Sequence, residues 1–346
     1  MNIEKLYPAC KSIIWGGDKL KRCYGKVTNA EPLAETWELS LHKDGQSCLA
    51  DGTPLSVVAS EADFGENCKG FPFFPVLVKL IDAQDRLSVQ VHPADEYALQ
   101  HENSLGKTEM WYIVDAEEGA GIYLGFKKDI TREQLEKAIL DKTLTDYLKF
   151  IPVKKDESYF IPAGTIHAIC SGCLICEIQQ NSNITYRVYD YGRKDKNGNE
   201  RELHIAKALD VTNTTAIEPR ELNIPVPEGV LKGIHKFFTA TYVCVEGESV
   251  FKKDYGSFRC FTCLEGKGRI GDVAITKGDS VFVPAGHEDF VIAGNFNAIM
   301  TTVRKYRLIK EQGKYRVEND LGDILLVSDC PDELLKRCGL NKSDIE

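Results

Sequence analysis

YFIPAGTIHAI, at residues 159–169, is restated further along the chain as VFVPAGHEDFVI, at residues 281–292. In each copy an aromatic and aliphatic run ends at Pro-Ala-Gly. An acidic turn precedes both, DES at 156–158 and GDS at 278–280. A fixed phrase recurring in the same local setting marks a repeated structural unit. Three residues past the glycine the first copy carries His167 and the second Asp289, so the frame is shared and the chemistry is not.

Around each copy the sequence reads as strand after strand. FPVLVKLID, RLSVQVHP, EMWYIVDA, GIYLGF, LICEIQQ and ITYRVYDYG precede or follow the first; TYVCVEGESVF, SFRCFTCLEG and FVIAG surround the second. These runs are short, rich in β-branched and aromatic residues, and separated by Gly, Asp or Asn turns. The expected fold is mainly β, with two small barrels and one helical insertion at 129–150, whose cap is Asp129 or Thr131 and whose apolar stripe is Leu135, Ile139 and Leu140. Residues 213–233 carry three prolines and little periodicity, which makes them the expected linker between a unit at 1–212, including the N-terminal strands, and a second unit at 234–346 that ends in a short helix.

A chain of 346 residues exceeds the size at which one core stops growing, in keeping with a doubled core. Its formal charge of −9 argues against a nucleic-acid surface, which needs an excess of Lys and Arg. No run approaches the roughly 20 apolar residues of a membrane span, and the N-terminus lacks a signal-peptide layout. Twelve cysteines in a long, core-rich chain read as free thiols of a reducing compartment, so the expected location is the cytoplasm.

In LSVQVHP, residues 87–93, strand alternation puts Leu87, Val89 and Val91 on one face and Ser88, Gln90 and His92 on the other. Alone, that polar face would be solvated, and His167 alone would be a satisfied structural histidine. Together with Glu109, which opens the strand after GKT, Gln90, His92 and His167 make a donor set suited to a divalent ion such as Zn²⁺. The second copy has no upstream Gln-x-His, reads SFRCF where a glutamate would be wanted, and displaces its histidine to position 287. A metal is expected in the first barrel only.

PAGTIH fits the Pro-x-Gly-x-x-His motif of the cupin superfamily, whose domains are jelly-roll barrels. LSVQVHP, GKTEMWYI, FIPAGTIHAI and EIQQNSNITYRVYDYGR, with IWGG at 14–17 and AETWELS at 34–40, closely resemble type I mannose-6-phosphate isomerases in their short bacterial form. The resemblance implies two cupin-type β-barrels and a zinc-dependent aldose-ketose isomerase with one Zn²⁺ per chain. It implies Gln90, His92, Glu109 and His167 as ligands, Arg187 and Lys107 as catalytic residues, and Ser88, Lys107, Glu177 and Arg187 lining the substrate cavity. The partner it implies is a small sugar phosphate, with no nucleic acid or membrane, and the chain is expected as a monomer or weak homo-oligomer. Many relatives read His-Pro-Asp-Lys after the metal histidine; here the run is HPADEYA, with Asp95 at the lysine's offset, which leaves the proton-transfer base open. The rivals are a cupin that binds sugar phosphate without turnover and an isomerase of a related aldose phosphate.

Two other signals read as structural. CSGCLIC at 170–176 and CFTC at 260–263 suggest a four-cysteine zinc site, but residues three apart on a strand face opposite ways, so core thiols lining the barrel are the better reading. GRKDKNGNERE at 192–202 mixes charge signs around Asn-Gly and reads as a solvated hairpin tip.

Overall fold

A computed structural model describes residues 1–194, 197–218, 231–311, 313–338, 340 and 342–345. Most of the expected linker, residues 219–230, lies outside the described residues.

The first half is a pair of facing antiparallel sheets. One has six strands in the order Ser158–Ile161, Glu109–Ala116, Cys173–Gln180, Val76–Ala83, Glu35–Leu39, Ala9–Lys11. The other has five: Leu148–Pro152, Gly121–Phe126, His167–Ile169, Val89–Val91, Tyr186–Tyr189. Among the described residues the two sheets face each other without pairing edge to edge. Trp15, Ile81, Trp111, Ile122, Ile169 and Ile175 pack between them.

The six-stranded sheet is the middle layer of the molecule. Every residue of Val76–Ala83 and Cys173–Gln180 is buried, because both faces are covered. Val76, Val78, Leu80, Cys176 and Ile178 join Phe238, Phe258, Cys260 and Phe282 of the second half in one core. The alternate residues Lys79, Ile81, Ile175 and Glu177 lie on the opposite face, toward the first barrel. Cys173 and Cys176 accordingly belong to different cores, as do Cys260 and Cys263, so these thiols do not all line a barrel.

In the second half, a seven-stranded sheet carries Ser280–Val283, Arg259–Ile270, Phe290–Thr302, Phe238–Phe251 and Leu231–His235 in that order, with Val273–Thr276 paired to Arg259–Ile270. Its other edge is Glu4–Leu6, which pairs antiparallel with residues 280–282. The expected unit at 1–212 therefore gives its first strand to the far half. A three-stranded sheet, Tyr306–Glu311, Lys314–Asn319 and Ile324–Ser328, and the helix Pro331–Arg337 follow.

Both Pro-Ala-Gly phrases end a strand, Ser158–Ile161 in one half and Ser280–Val283 in the other. The glycines take left-handed backbone, φ 84° at Gly164 and 71° at Gly286, which a side chain would oppose. That shared turn is the physical content of the repeat.

The helical insertion is shorter than 129–150. Its helix spans Arg132–Leu140, capped by Thr131, whose hydroxyl accepts from the Gln134 amide while the Gln134 side chain accepts from the Thr131 amide. Such a capping box adds about 1 kcal/mol. Leu135, Ala138 and Ile139 form the buried stripe; Leu140 falls off it and is 63% exposed. Lys142 turns left-handed (φ 59°), and residues 148–152 leave helix altogether to pair with Gly121–Phe126. The helix covers the outer face of the five-stranded sheet, over Val89, Val91, Phe126 and Ala168. Leu87, which precedes the strand Val89–Val91, packs instead in the core between the sheets. The apolar face of this strand thus lies under helices and its polar face looks into the barrel.

Candidate metal centre and substrate cavity

Strand register assembles the site. His167 stands opposite Gln90, and Arg187 stands opposite Gln90 on its other side, all in the five-stranded sheet. From the facing sheet, Glu177 is flanked by Lys79 and Trp111, and Glu109 lies opposite Gln179. His92 and Lys107 sit one residue beyond Val91 and two before Glu109.

His92, Glu109 and His167 bring one donor atom each within 4.8 Å of one another, and all three are buried. Nε2 of His167 is 3.3 Å from Glu109 Oε1, and Nε2 of His92 is 3.6 Å from Oε2. The amide end of Gln90 lies 3.3 Å from His167 Nε2, and a half-turn of the amide presents its oxygen there. Nδ1 of His92 faces the Ile184 carbonyl at 2.8 Å, and Nδ1 of His167 faces the Thr165 carbonyl at 2.8 Å. A carbonyl only accepts, so both Nδ1 atoms carry the proton and both Nε2 lone pairs point into the cluster. This is the outer-partner arrangement that metal-binding histidines use.

Electrostatics favour the same forms. Burial pushes His167 down to about 4 and His92 well below its ordinary value, so both are neutral at pH 7. Glu109 is raised by burial and by the charge of Glu177, with Lys107 pulling it back. Its Oε1 is buried without a hydrogen-bond partner, the cost of which an ion would remove. Two neutral imidazoles, an amide and a buried carboxyl that a cation would hold ionised fit a divalent ion such as zinc.

A cavity of about 280 Å³ opens beside this cluster, lined among others by Gln90, Lys107, Glu177, Ser88 and Arg187. Lys107 Nζ lies 3.1 Å from His92 Nε2 and 3.7 Å from Glu177 Oε1, and it donates to Glu109. Glu177 accepts from the Trp111 indole at 2.8 Å. Burial would raise Glu177, but Lys107 and Lys79 outweigh it and hold the carboxylate ionised. Arg187 donates through Nε to the Ser88 hydroxyl at 3.3 Å and through Nη1 to the Glu202 carbonyl at 2.9 Å.

Three charged residues of this cavity, Lys79, Glu35 and Arg201, were not marked as site residues by the sequence. Lys79 lies 3.5 Å from both Glu35 and Glu177, with Trp37 stacked under its ammonium at 5.0 Å. Arg201, from the 192–202 hairpin, also lines the cavity. A lysine in the otherwise apolar VLVKLI was a readable signal; Glu35 and Arg201 had none.

Asp95 is not at the cavity. It accepts from the Gly106 amide at 2.9 Å and from Gln180 at 2.7 Å, and so ties the helix Asp95–Glu102 to the loop before Lys107. In the second copy, Asp289 accepts from Lys252 and from the Lys253 amide, and His287 turns its Nδ1 to the Glu288 carbonyl. Among the described residues, neither belongs to a cluster of three or more metal-ligand side chains. A larger cavity of about 380 Å³, lined by Tyr24, Tyr112 and Lys277, lies away from the cluster.

Residues 3–123 match the model of the phosphomannose isomerase type I catalytic domain, and residues 232–303 that of the mannose-6-phosphate isomerase cupin domain. The chain is 36% identical to a probable mannose-6-phosphate isomerase of Bacillus subtilis, over 84% of this chain and 95% of that one. It is 38% identical to the mannose-6-phosphate isomerase of Streptococcus mutans, over 78% and 89% respectively. The crystal structure of the Bacillus subtilis mannose 6-phosphate isomerase superimposes with a TM-score of 0.79 at 33% identity, covering 87% of this chain and 99% of that one. With two domain models matched in order and relatives aligned over nearly their full length, the chain belongs to the type I phosphomannose isomerase family.

Proposed function

We propose that the protein interconverts mannose 6-phosphate and fructose 6-phosphate by proton transfer through an enediol(ate), with Gln90, His92, Glu109 and His167 holding one zinc ion. The observation that carries this reading is the pair of histidines whose Nε2 atoms are turned toward Glu109 beside a cavity that also holds Lys107 and Arg187. Relatives named mannose-6-phosphate isomerase, aligned over most of the chain, support it.

Aldose-ketose isomerisation moves a proton between adjacent carbons, so it needs a proton carrier and a counter-charge for the developing oxygen anion. Zinc at this donor set would supply a Lewis-acid charge. Around the cluster, Lys79 and Lys107 face Glu35, Glu109 and Glu177; a dication leaves that end with one positive charge overall. Lys107, between the cluster and Glu177, passes its own proton to the Glu177 carboxylate and, as the neutral amine, takes the proton from one sugar carbon and returns it to the next. Arg187, steadied by Ser88 and the Glu202 carbonyl, orients the substrate and stabilises its anionic oxygens. On this reading residues 1–212 hold the chemistry and 234–346 the support. Twelve cysteines without a disulfide support a reducing, cytoplasmic setting.

A coupled assay with mannose 6-phosphate tests the proposal. Turnover should vanish on chelation and return with Zn²⁺. Tight binding of mannose 6-phosphate without turnover would instead favour a sugar-phosphate-binding cupin.

A further inference from the structure

The hairpin after the strand Tyr186–Tyr189 does something its mixed charges do not advertise. A bridge between Lys194 and Glu200 folds the chain back, and Arg201 returns to line the same cavity as Arg187 and Ser88. Arg201 is not loose there. Its Nε and Nη2 donate to the two oxygens of Asp190 at 2.7 and 2.6 Å, a planar two-point fork. Asp190 is 5% exposed and is shared with Arg193, whose guanidinium also donates to it and meets the exposed Asp85 at 3.3 Å.

Three guanidinium groups gather here against two carboxylates, Asp190 and the exposed Asp85, so one positive charge is left over. It falls to Arg187: among the described residues its side-chain contacts are the Ser88 hydroxyl and the Glu202 carbonyl, with no carboxylate. The proton affinity of Arg187 is lowered by burial and then by the charge of Arg201, so the two guanidinium groups sense each other. Two like charges held at one end of a cavity invite an anion between them, and a phosphate monoester carries about −1.5 to −2 at pH 7.

We infer that Arg201, oriented by Asp190, is the second arm of an arginine clamp that holds the substrate's phosphate group opposite Arg187. The inference rests on the sugar-phosphate reading of this cavity. Arg201 is a binding residue, Asp190 is a positioning residue, and the hairpin is the device that brings the clamp to the cavity mouth.

The test compares the full-length wild type with Arg201→Ala, Arg201→Lys and Asp190→Asn. Lys267→Ala, at an exposed position on the far sheet, controls for the loss of one charge. For Arg201→Ala the KM for mannose 6-phosphate should rise at least about tenfold, as expected for a lost charged hydrogen-bond pair, with competitive inhibition by inorganic phosphate weakened in parallel. Meanwhile kcat should fall by less than about threefold, since uniform binding is what is removed. Arg201→Lys should recover part of the loss, Asp190→Asn should show a smaller rise in KM, and Lys267→Ala should show none. Unchanged KM and unchanged phosphate inhibition in Arg201→Ala would overturn the clamp, as would a loss of kcat at constant KM. If Arg201→Ala does not fold, Arg201→Lys is read by the same criteria with a smaller expected rise. Calorimetric binding of mannose 6-phosphate separates the two proposals: a wild type that binds it without turnover sinks the isomerase reading, while the affinity ratio between wild type and Arg201→Ala still decides the clamp.

Discussion

The carbonyl oxygen of Ile184 lies 2.8 Å from Nδ1 of His92 and settles which ring nitrogen is bare. Thr165 does the same for His167. Neither oxygen comes from a residue that a motif search would mark, yet together they turn two buried imidazoles into donors aimed at one carboxylate.

Purified protein should carry about one divalent metal per chain, and His92→Ala or His167→Ala should each weaken metal retention by more than the roughly 10–100-fold typical of losing an outer partner. Metal analysis after dialysis checks this, and full metal content in both variants would break the assignment.

Arg187→Ala should lower kcat/KM by about 10²–10³, since this guanidinium serves both the phosphate and the anionic oxygens of the reacting sugar. Metal content and thermal midpoint should stay near wild type, because the arginine lies outside the cluster. Normal turnover in a folded, metal-loaded variant would remove Arg187 from the chemistry.

Lys107→Met should act on stability in a metal-dependent way. The ammonium sits among His92, Glu109 and Glu177, all nearly inaccessible to solvent. Removing it strands buried negative charge, which costs about 3–5 kcal/mol when uncompensated. Urea unfolding of metal-stripped protein should show that loss, and saturating Zn²⁺ should recover much of it. An equal loss in both states would contradict the charge balance drawn for this cavity.

His235 offers a pH dependence away from the metal centre. It is buried against Phe160, Phe237 and Phe238, its Nδ1 has no hydrogen-bond partner, and burial pushes it down to about 4, with Asp344 and Asp95 opposing and Lys236 assisting. The folded value lies below the unfolded one of about 6.5, so the unfolded chain binds more protons between these limits. Its contribution is therefore complete above pH 6.5 and declines as the pH falls toward 4, by up to about 3 kcal/mol. Urea midpoints of wild type and His235→Phe across pH 7.5 to 4.5 should diverge in slope, the variant being flatter. Parallel curves would show that His235 does not titrate this way.

Much of the architecture was legible because strands advertise themselves by alternation. The repeated Pro-Ala-Gly phrase pointed to two equivalent turns, and both glycines have left-handed backbone. Alternation put Gln90 and His92 on one strand face, but that Glu109 and His167 join them was implied by the family resemblance, because the pairing of His167 with Gln90 and of Glu109 with Gln179 is long-range register. The insertion was misjudged where helix propensity competes with tertiary pairing: residues 148–150, Leu-Lys-Phe, carry no helix breaker, and pairing with the neighbouring strand Gly121–Phe126 makes them extended. Glu35 and Arg201 were hidden for another reason. Their partners, Lys79 and Asp190, are set by long-range strand order or by a hairpin's return path, which local pattern does not encode.

The strand Glu4–Leu6 completes the edge of the far sheet by pairing with residues 280–282. Its consequence is temporal. During synthesis this segment leaves the ribosome well before residues 280–282, which follow on the order of ten seconds or more later at ordinary elongation rates. Through that interval Leu6, which ends up 2% exposed, has no sheet to join. The nascent first barrel must therefore mature with Leu6 unsheltered, and closure of the final sheet doubles as the step that covers it.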